Sequence, residues 1–243
     1  MSWLGLDGAT LATRLGLPRV EALGIVASTM DRAHAIAAEG APAGTLVIAE
    51  EQSAGRGRGG RTWDSRPGAG LWMTLLERPR AADGLDVLSL RVGLRLAPVL
   101  DRWTPTAVRL KWPNDLFVGR RKLAGVLIEA RWRGERPDWV AIGLGLNLVS
   151  PADRPEAIGL DGARAIEVLE ELVPALRAAA SATGPLTADE LRDFAARDLA
   201  AGQRVTAPSD GVVRGISPAG ELVLETREGL AVHRAGSLVF AST

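Results

Sequence analysis

The stretch AVRLKWPNDLFVGRRKLAGVLIEARW, residues 107–132, carries most of the information about the fold. Its apolar runs are rich in Val, Leu and Ile and predict three strands, at residues 107–112, 115–119 and 122–132. The sequence Pro-Asn-Asp begins a turn after the first run, and the basic turn Gly-Arg-Arg joins the other two. The segment therefore predicts consecutive strands separated by short turns.

Working outward from this segment, the pattern predicts a mixture of strands and helices. Apolar runs predict further strands at residues 45–52, 71–77 and 139–148, and helical spacing predicts helices at 29–39, 86–103, 161–181 and 187–200. Ser28 or Thr29 caps the first helix and Gly40 stops it, whereas Pro174 is expected to break or kink the third. Gly143 and Gly145 punctuate the last strand, where we expect another backbone to come close.

From Ala201 the residue composition of the chain changes. Short β-rich runs alternate with Gly, Pro, Ser and Asp, which predicts a small barrel of about five strands. We therefore place a domain boundary near residue 200, with one domain at 1–200 and a second at 201–243.

The composition excludes several classes of protein. Acidic and basic residues balance at zero net charge, so the generally basic surface of a nucleic-acid-binding protein is absent. The chain has no cysteine, which rules out disulfides, thiolate metal sites and thioester catalysis. Neither a signal peptide nor an apolar run of about 18 residues is evident, so we expect a cytoplasmic protein without a membrane partner.

Of the 29 basic residues, only Lys111 and Lys122 are lysines. Genomic base composition explains why arginine dominates, but it does not explain why both lysines fall within the same short segment. Arginine replaces lysine where charge alone matters, but not where a compact ammonium group must occupy one point. The pair therefore indicates a site, with chance clustering as the alternative.

A loop rich in glycine and arginine, Gly55-Arg56-Gly57-Arg58-Gly59-Gly60-Arg61, follows the strand at 45–52. Glycines let backbone N–H groups approach an anion, and arginines neutralise its charge. The alternatives are an RNA-binding tether, which normally lies in a low-complexity tail, and an ordinary basic surface turn. The position of the loop between two apolar strands favours an anion-binding loop.

Three further motifs carry polar groups next to strands. They are Lys111-Trp112-Pro113-Asn114-Asp115, Arg121-Lys122-Leu123-Ala124-Gly125 and Gly143-Leu144-Gly145-Leu146-Asn147-Leu148. Each has a simple structural explanation, respectively an Asn-Asp turn, a lysine on an exposed edge strand, and core packing of glycines.

Taken together and in order, GRGRGGRTW, KWPNDLFV, RKLAGVLIE and GLGLNL resemble the biotin–protein ligase family. The resemblance is strong over residues 28–148 and extends loosely over 203–240. It implies an α+β fold with the mixed sheet and helices of class II aminoacyl-tRNA synthetases, followed by a small SH3-like β-barrel. The DNA-binding N-terminal domain of some members has no room before Ser28, so we expect no DNA partner. Met30 stands where the family usually has Asn.

The resemblance also implies a set of substrate contacts. The biotin head group is expected to bind Ser28, Thr29 and Gln52, and Arg56, Arg58 and Lys122 complete the biotin site. The adenylate side is expected to use Arg56, Arg58, Arg61, Trp63, Lys111, Asn114 and Asn147. Lys122, Lys111, Asp115 and Arg58 are the implied catalytic residues, and Asp115 is also the expected ligand of Mg²⁺.

The implied reaction converts biotin and ATP to biotinyl-5′-AMP and transfers the biotinyl group to a lysine of a biotin carboxyl carrier domain. Attack of a carboxylate on the α-phosphorus brings two anions together, so catalysis needs positioning and positive charge rather than a protein nucleophile. The two histidines, His34 and His233, lie outside all four motifs. A homodimer is possible.

Two other classes of function stay open at this stage. A lipoate or octanoate ligase shares the fold, although it should lack GRGRGGRTW. A non-enzymatic Arg-Gly nucleic-acid binder is disfavoured by the zero net charge and the embedded loop.

Overall fold

The computed structural model describes residues 2–241 and begins with a segment for which the sequence made no prediction. Two short strands, β1 (Ser2–Trp3) and β2 (Leu6–Asp7), pair as a hairpin and lead into helix α1 (Gly8–Leu15). Asp7 caps this helix by accepting a hydrogen bond from the Thr10 amide. Trp3 and Leu11 anchor the segment in the main hydrophobic core.

A seven-stranded mixed sheet forms the centre of the molecule. Its strands are β3 (Arg19–Val26), β4 (Thr45–Gln52), β5 (Gly70–Glu77), β6 (Val108–Lys111), β7 (Asp115–Val118), β8 (Arg121–Arg133) and β9 (Arg136–Asn147). They lie in the order β3-β4-β5-β9-β8-β7-β6, and within the described chain only β3 and β4 run parallel. Each predicted strand is confirmed within about three residues at its ends. β3 was not predicted.

Helices cover both faces of this sheet. They are α2 (Thr29–Ala38), α3 (Leu88–Leu100), α4 (Ala165–Ser181) and α5 (Ala188–Arg197). Alternate residues of β4 separate two cores: Val47 and Ala49 pack with α2, whereas Leu46 and Ile48 belong to the larger core that includes α3 and α4. Because α2 covers only part of its face, the remainder of that face is free for a site.

The helix ends follow local signals. Ser28 rather than Thr29 caps α2, and α5 begins with a capping box in which Thr187 and Glu190 satisfy each other's backbone amides. The predicted break at Pro174 is wrong, since α4 runs continuously through it. Proline removes only one hydrogen bond, and α4 buries an entire apolar side from Ile166 to Ala179 in the core.

The C-terminal segment forms a second, five-stranded antiparallel sheet. Its strands are β10 (Arg204–Ala207), β11 (Gly211–Ile216), β12 (Leu222–Thr226), β13 (Gly229–His233) and β14 (Val239–Phe240), in the order β13-β12-β11-β10-β14. The sheet is docked on the rest of the chain by the buried Trp112 indole, whose Nε1 donates to the carbonyl of Gly220 at 2.9 Å. Between residues 2 and 241, no helix is long and apolar enough to cross a membrane.

Candidate active site

A cavity of about 280 Å³ opens on the face of the large sheet that also carries α2. Eleven of the twelve residues predicted from the sequence line it, namely Ser28, Thr29, Gln52, Arg56, Arg58, Arg61, Trp63, Lys111, Asn114, Asp115 and Lys122. These residues come from α2, β4, the Gly-Arg loop and strands β6 to β8. The fold therefore brings together motifs that are separated by up to 94 positions in sequence.

Glycines on β8 and β9 leave room for the side chains that form the floor of the cavity. Gly125 and Gly145 are direct partners on β8 and β9, and a Cβ on Gly145 would lie 2.4 Å from Cε2 of Trp63. A Cβ on Gly143 would lie 2.8 Å from the methyl carbon of Met30. The expectation that another backbone approaches these glycines is wrong, because two side chains, Trp63 and Met30, fill the space instead.

The neutral polar side chains of the lining form hydrogen bonds that run in one direction. The Thr29 amide donates to Gln52 Oε1 at 2.8 Å, which identifies that atom as the amide oxygen, and Thr29 Oγ1 donates to it at 3.0 Å. With its only hydrogen used, Thr29 Oγ1 can only accept from Thr74 Oγ1, 3.0 Å away. Gln52 Nε2 donates to Ser65 Oγ at 2.7 Å.

Sequence reasoning missed Thr74, although it is completely buried and lines the cavity. A threonine inside LWMTLLE was the available signal, because a hydroxyl in an otherwise apolar buried strand needs a hydrogen-bond partner.

The cavity lining is also strongly cationic. Five lining residues carry positive charge, namely Arg56, Arg58, Arg61, Lys111 and Lys122. Among residues 2–241, Asp115 is the one carboxylate in the lining. Lys122 Nζ lies 2.7 Å from Asp115 Oδ1 and 5.0 Å from the centre of the Trp63 ring. A site with this balance of charge favours a ligand that carries several negative charges.

Lys111 lies between two aromatic rings, with Nζ 5.6 Å from the centre of Phe117 and 5.4 Å from that of Phe240. Burial lowers the pKa of Lys111, and the charges of Lys122 and Arg61 lower it further while Asp115 opposes them. The two lysines therefore line the same cavity, as their proximity in sequence indicated.

The two predicted asparagines serve the backbone. Asn114 lines the cavity, but its Nδ2 donates to the carbonyl of Val126 at 2.6 Å. Asn147 lies outside the lining, and its Nδ2 donates to the carbonyls of Ile158 at 3.3 Å and Lys122 at 3.5 Å. Asn147 is thus positioned to hold the strand that carries Lys122 rather than to touch a ligand in the cavity.

A segment that the sequence did not predict, residues 156–158, supports the strand that carries Lys122. The Lys122 amide donates to the carbonyl of Glu156 at 2.7 Å, and the Ile158 amide donates back to the carbonyl of Lys122 at 2.9 Å. Residues 156–158 thus fix the backbone of Lys122 from outside the sheet.

The Gly-Arg loop arches over the cavity and reaches the C-terminal sheet. Arg58 donates to the carbonyl of Gly236, and Arg61 donates to Ser237 Oγ at 3.1 Å. Gly59 and Gly60 adopt φ values of 67° and 75°, which favour glycine. Ser237, Leu238 and Val239 line the cavity as well, so the C-terminal sheet contributes a wall that sequence reasoning did not anticipate.

The lining does not form a ready-made cage for a metal ion. Across the described range, no group of three or more His, Cys, Asp or Glu side chains is arranged to hold one. Asp115 is already paired with Lys122. Mg²⁺ commonly binds one or two carboxylates together with substrate phosphates and water. The residues present therefore fit an ion that arrives with a polyphosphate rather than one held by the protein alone.

Comparison with known proteins gives a consistent family. The model of the biotin/lipoate A/B protein ligase family matches residues 23–147. The biotin–[acetyl-CoA-carboxylase] ligase of Paracoccus denitrificans is 31% identical over 224 residues, which cover 84% of this chain and 93% of the relative. The bifunctional ligase/repressor BirA of Bacillus spizizenii is 35% identical over 130 residues, covering 53% of this chain and 40% of the relative. The match thus spans less than half of that bifunctional protein.

A solved structure agrees with these relatives. The biotin protein ligase from Aquifex aeolicus, in complex with biotin and ATP, superposes with a TM-score of 0.75 at 26% identity. The match covers 92% of this chain and 99% of the other.

Proposed function

This chain belongs to the biotin/lipoate A/B protein ligase family, and from that premise we propose that it is a biotin–protein ligase. In this reaction a carboxylate oxygen of biotin attacks the α-phosphorus of ATP and pyrophosphate leaves, which gives biotinyl-5′-AMP. The amine of a carrier lysine then attacks the acyl carbon, AMP leaves, and the nitrogen loses a proton. The observation that carries the proposal is one cavity whose lining combines neutral polar side chains with five cations.

The neutral polar side chains of the lining suit the head group of biotin. They include Ser28, Thr29 and Gln52, and the one-directional hydrogen bonds from Thr74 hold Thr29 and Gln52 in fixed orientations. Met73 and Leu144 supply apolar contact for the remainder of the ligand. A preset arrangement of donors and acceptors gives specificity without reorganisation on binding.

The cations of the lining suit the reacting phosphate. In the proposed reaction Lys122 contacts both the biotin carboxylate and the α-phosphate, and Lys111, Arg58 and Arg61 neutralise the charge that builds on phosphate oxygens. Trp63 packs beside Lys122 and provides a flat apolar surface next to the nucleotide. Positive groups fixed before the reaction lower its barrier because they need no reorganisation as charge develops.

Asp115 is the proposed base for the carrier lysine, since it is the one carboxylate of the lining among the described residues. In the first step it pairs with Lys122, which keeps that ammonium group oriented. When Mg²⁺ accompanies ATP, the ion supplies charge neutralisation at the phosphates, and Asp115 is the residue that would hold it.

The finer description of the fold is also a proposal. We propose that the large sheet is of the class II aminoacyl-tRNA synthetase type and that residues 201–243 form an SH3-like barrel domain. The proposed partner is a biotin carboxyl carrier domain, without DNA. A homodimer is a further possibility, which is supported by the part of β8 beyond Val126 that β7 does not pair.

The test is ATP–pyrophosphate exchange with biotin, lipoate or octanoate offered separately. We expect exchange that depends on biotin and Mg²⁺, with loss of exchange in Lys122→Ala. Arg121→Ala is the matched control, because Arg121 is the adjacent cation on β8 and is exposed. Exchange with lipoate and none with biotin would assign the protein to the other branch of the family.

A further inference from the structure

Arg56 of the Gly-Arg loop is engaged by two carboxylates that lie outside the cavity lining. Its NH1 is 2.5 Å from Asp31 Oδ1 on the first turn of α2, and its NH2 is 2.5 Å from Glu129 Oε1 on β8. A guanidinium group that is held at both ends has a fixed position. Arg56 therefore differs from the other four cations of the cavity, because it is paired with two carboxylates, both outside the lining.

Glu129 is itself fixed from the opposite side. Its Oε2 lies 3.0 Å from Nε2 of His34, and the indole Nε1 of Trp139 lies 2.9 Å from Nδ1 of the same histidine. An indole N–H can only donate, so Nδ1 of His34 accepts and, in the neutral ring, Nε2 carries the hydrogen that it donates to Glu129. The hydrogen bonds thus form a chain from Trp139 through His34 and Glu129 to Arg56.

These contacts divide the loop into two ends with different attachments. At one end Arg56 is bound to α2 and β8, and at the other Arg58 and Arg61 are bound to residues 236–237, in the connection between β13 and β14. The glycines within the loop make it costly to hold in one conformation, so attachment at both ends is needed to keep it across the cavity.

We propose that Arg56 anchors the loop and that Glu129, Asp31 and His34 are positioning residues that keep the loop closed over the reaction intermediate. The first part, that Arg56 is an anchor, depends only on the geometry. The second part, that the anchor controls retention of the intermediate, rests on the proposed function. The alternative is that the two carboxylates pair with Arg56 only while the cavity is empty, and that Arg56 moves to the ligand phosphate when the ligand binds.

The anchor is tested first without any ligand. Trypsin can cleave after Arg56, Arg58 and Arg61, and we expect cleavage to be faster when the loop is detached, because a protease binds its substrate in an extended conformation. We expect Glu129→Gln and Asp31→Asn to speed this cleavage by about tenfold, the effect of losing one hydrogen bond to a charged group. Glu135→Gln is the control, because Glu135 lies in the exposed turn of the same β-hairpin. Equal cleavage rates in the variants and the wild type would overturn the anchor.

The functional part is tested by the release of biotinyl-AMP in the absence of carrier. If Arg56 is an anchor, Glu129→Gln should release biotinyl-AMP about tenfold faster at an unchanged Tm. If Arg56 instead moves to the ligand phosphate, the same variant should release biotinyl-AMP more slowly and have a lower KM for ATP. A wild-type protein that forms no biotinyl-AMP would instead refute the proposed function, while the cleavage rates still decide the anchor.

Discussion

At the scale of single residues, Lys122 has the most demanding position. Its ammonium group fits between Asp115, 2.7 Å away, and the face of Trp63. A guanidinium group is wider and planar, so it would displace one of these neighbours or the ligand. We expect Lys122→Arg to slow adenylation almost as much as Lys122→Ala, by about a hundredfold, which corresponds to about 3 kcal/mol of lost transition-state stabilisation.

Lys111→Arg is the matched comparison for this prediction. Lys111 lies between the rings of Phe117 and Phe240, and a guanidinium group can stack on aromatic faces. It should therefore tolerate arginine better than Lys122 does. Single-turnover formation of biotinyl-AMP measures both effects, with circular dichroism as the control for folding. A near-native rate in Lys122→Arg would show that position does not matter there.

The residues of the site were predictable where the chemistry is visible in a short motif. The retention of two lysines among arginines led to a pair that lines one cavity. Asn147 was harder, because the sequence shows an amide at the end of a strand but not the carbonyls of Lys122 and Ile158 that it satisfies. The partners of Thr74 are equally invisible, since its hydroxyl bonds to Thr29, 45 positions away.

At the scale of elements, the facing glycines of β8 and β9 determine where Trp63 can lie. A Cβ on Gly145 would meet the indole at 2.4 Å, whereas one on Gly125 would meet it at 3.0 Å. We expect Gly145→Ala to destabilise the protein by about 1–3 kcal/mol and to impair adenylation, since overpacking forces Trp63 to move. Gly125→Ala should have a smaller effect.

Gly24→Ala on β3 is the control, because a Cβ there has nothing within 4 Å. Urea unfolding measures the stability of the three variants, and pyrophosphate exchange measures their activity. If Gly145→Ala matches Gly24→Ala in both measurements, the indole is not confined by the glycine pair.

The elements themselves were largely predictable because burial and local signals agree. β4 and β5 are almost completely buried, so their apolar runs were clear, and Ser28 and Gly40 bound the region of α2. The N-terminal segment gave no such signal. β1 and β2 are only two residues long and α1 has a single buried residue, Leu11, so packing rather than pattern establishes this region.

At the scale of the whole molecule, the cavity lies between the large sheet and the C-terminal sheet. The change of composition near Ala201 indicated a second β-rich unit, but not that residues 237–239 would line the cavity. Arg58 and its acceptor Gly236 are separated by 178 positions, and no local pattern reports a contact of that range. The loop and the C-terminal segment therefore cover the site together.

This closure leads to a prediction for Arg58→Gly. The variant loses the hydrogen bond to the carbonyl of Gly236 and keeps only the one from Arg61 to Ser237, so this end of the loop is held more weakly, and biotinyl-AMP should leave about tenfold faster than from the wild type. Arg227→Gly is the control, because Arg227 is an exposed arginine in the turn after β12. The measurement is the half-time of biotinyl-AMP release without carrier; an unchanged half-time would mean that the loop does not retain the intermediate.

The double variant Arg58→Gly with Glu129→Gln then asks whether the two ends of the loop act together. If each end holds the loop independently, the increases in release rate should multiply, as expected for sites without shared partners. If closure requires both attachments at once, either single change already opens the loop, and the double variant should release biotinyl-AMP no faster than the faster single variant. We expect the second result, because the glycines between Arg56 and Arg61 leave the loop no stable closed form of its own when one end is detached.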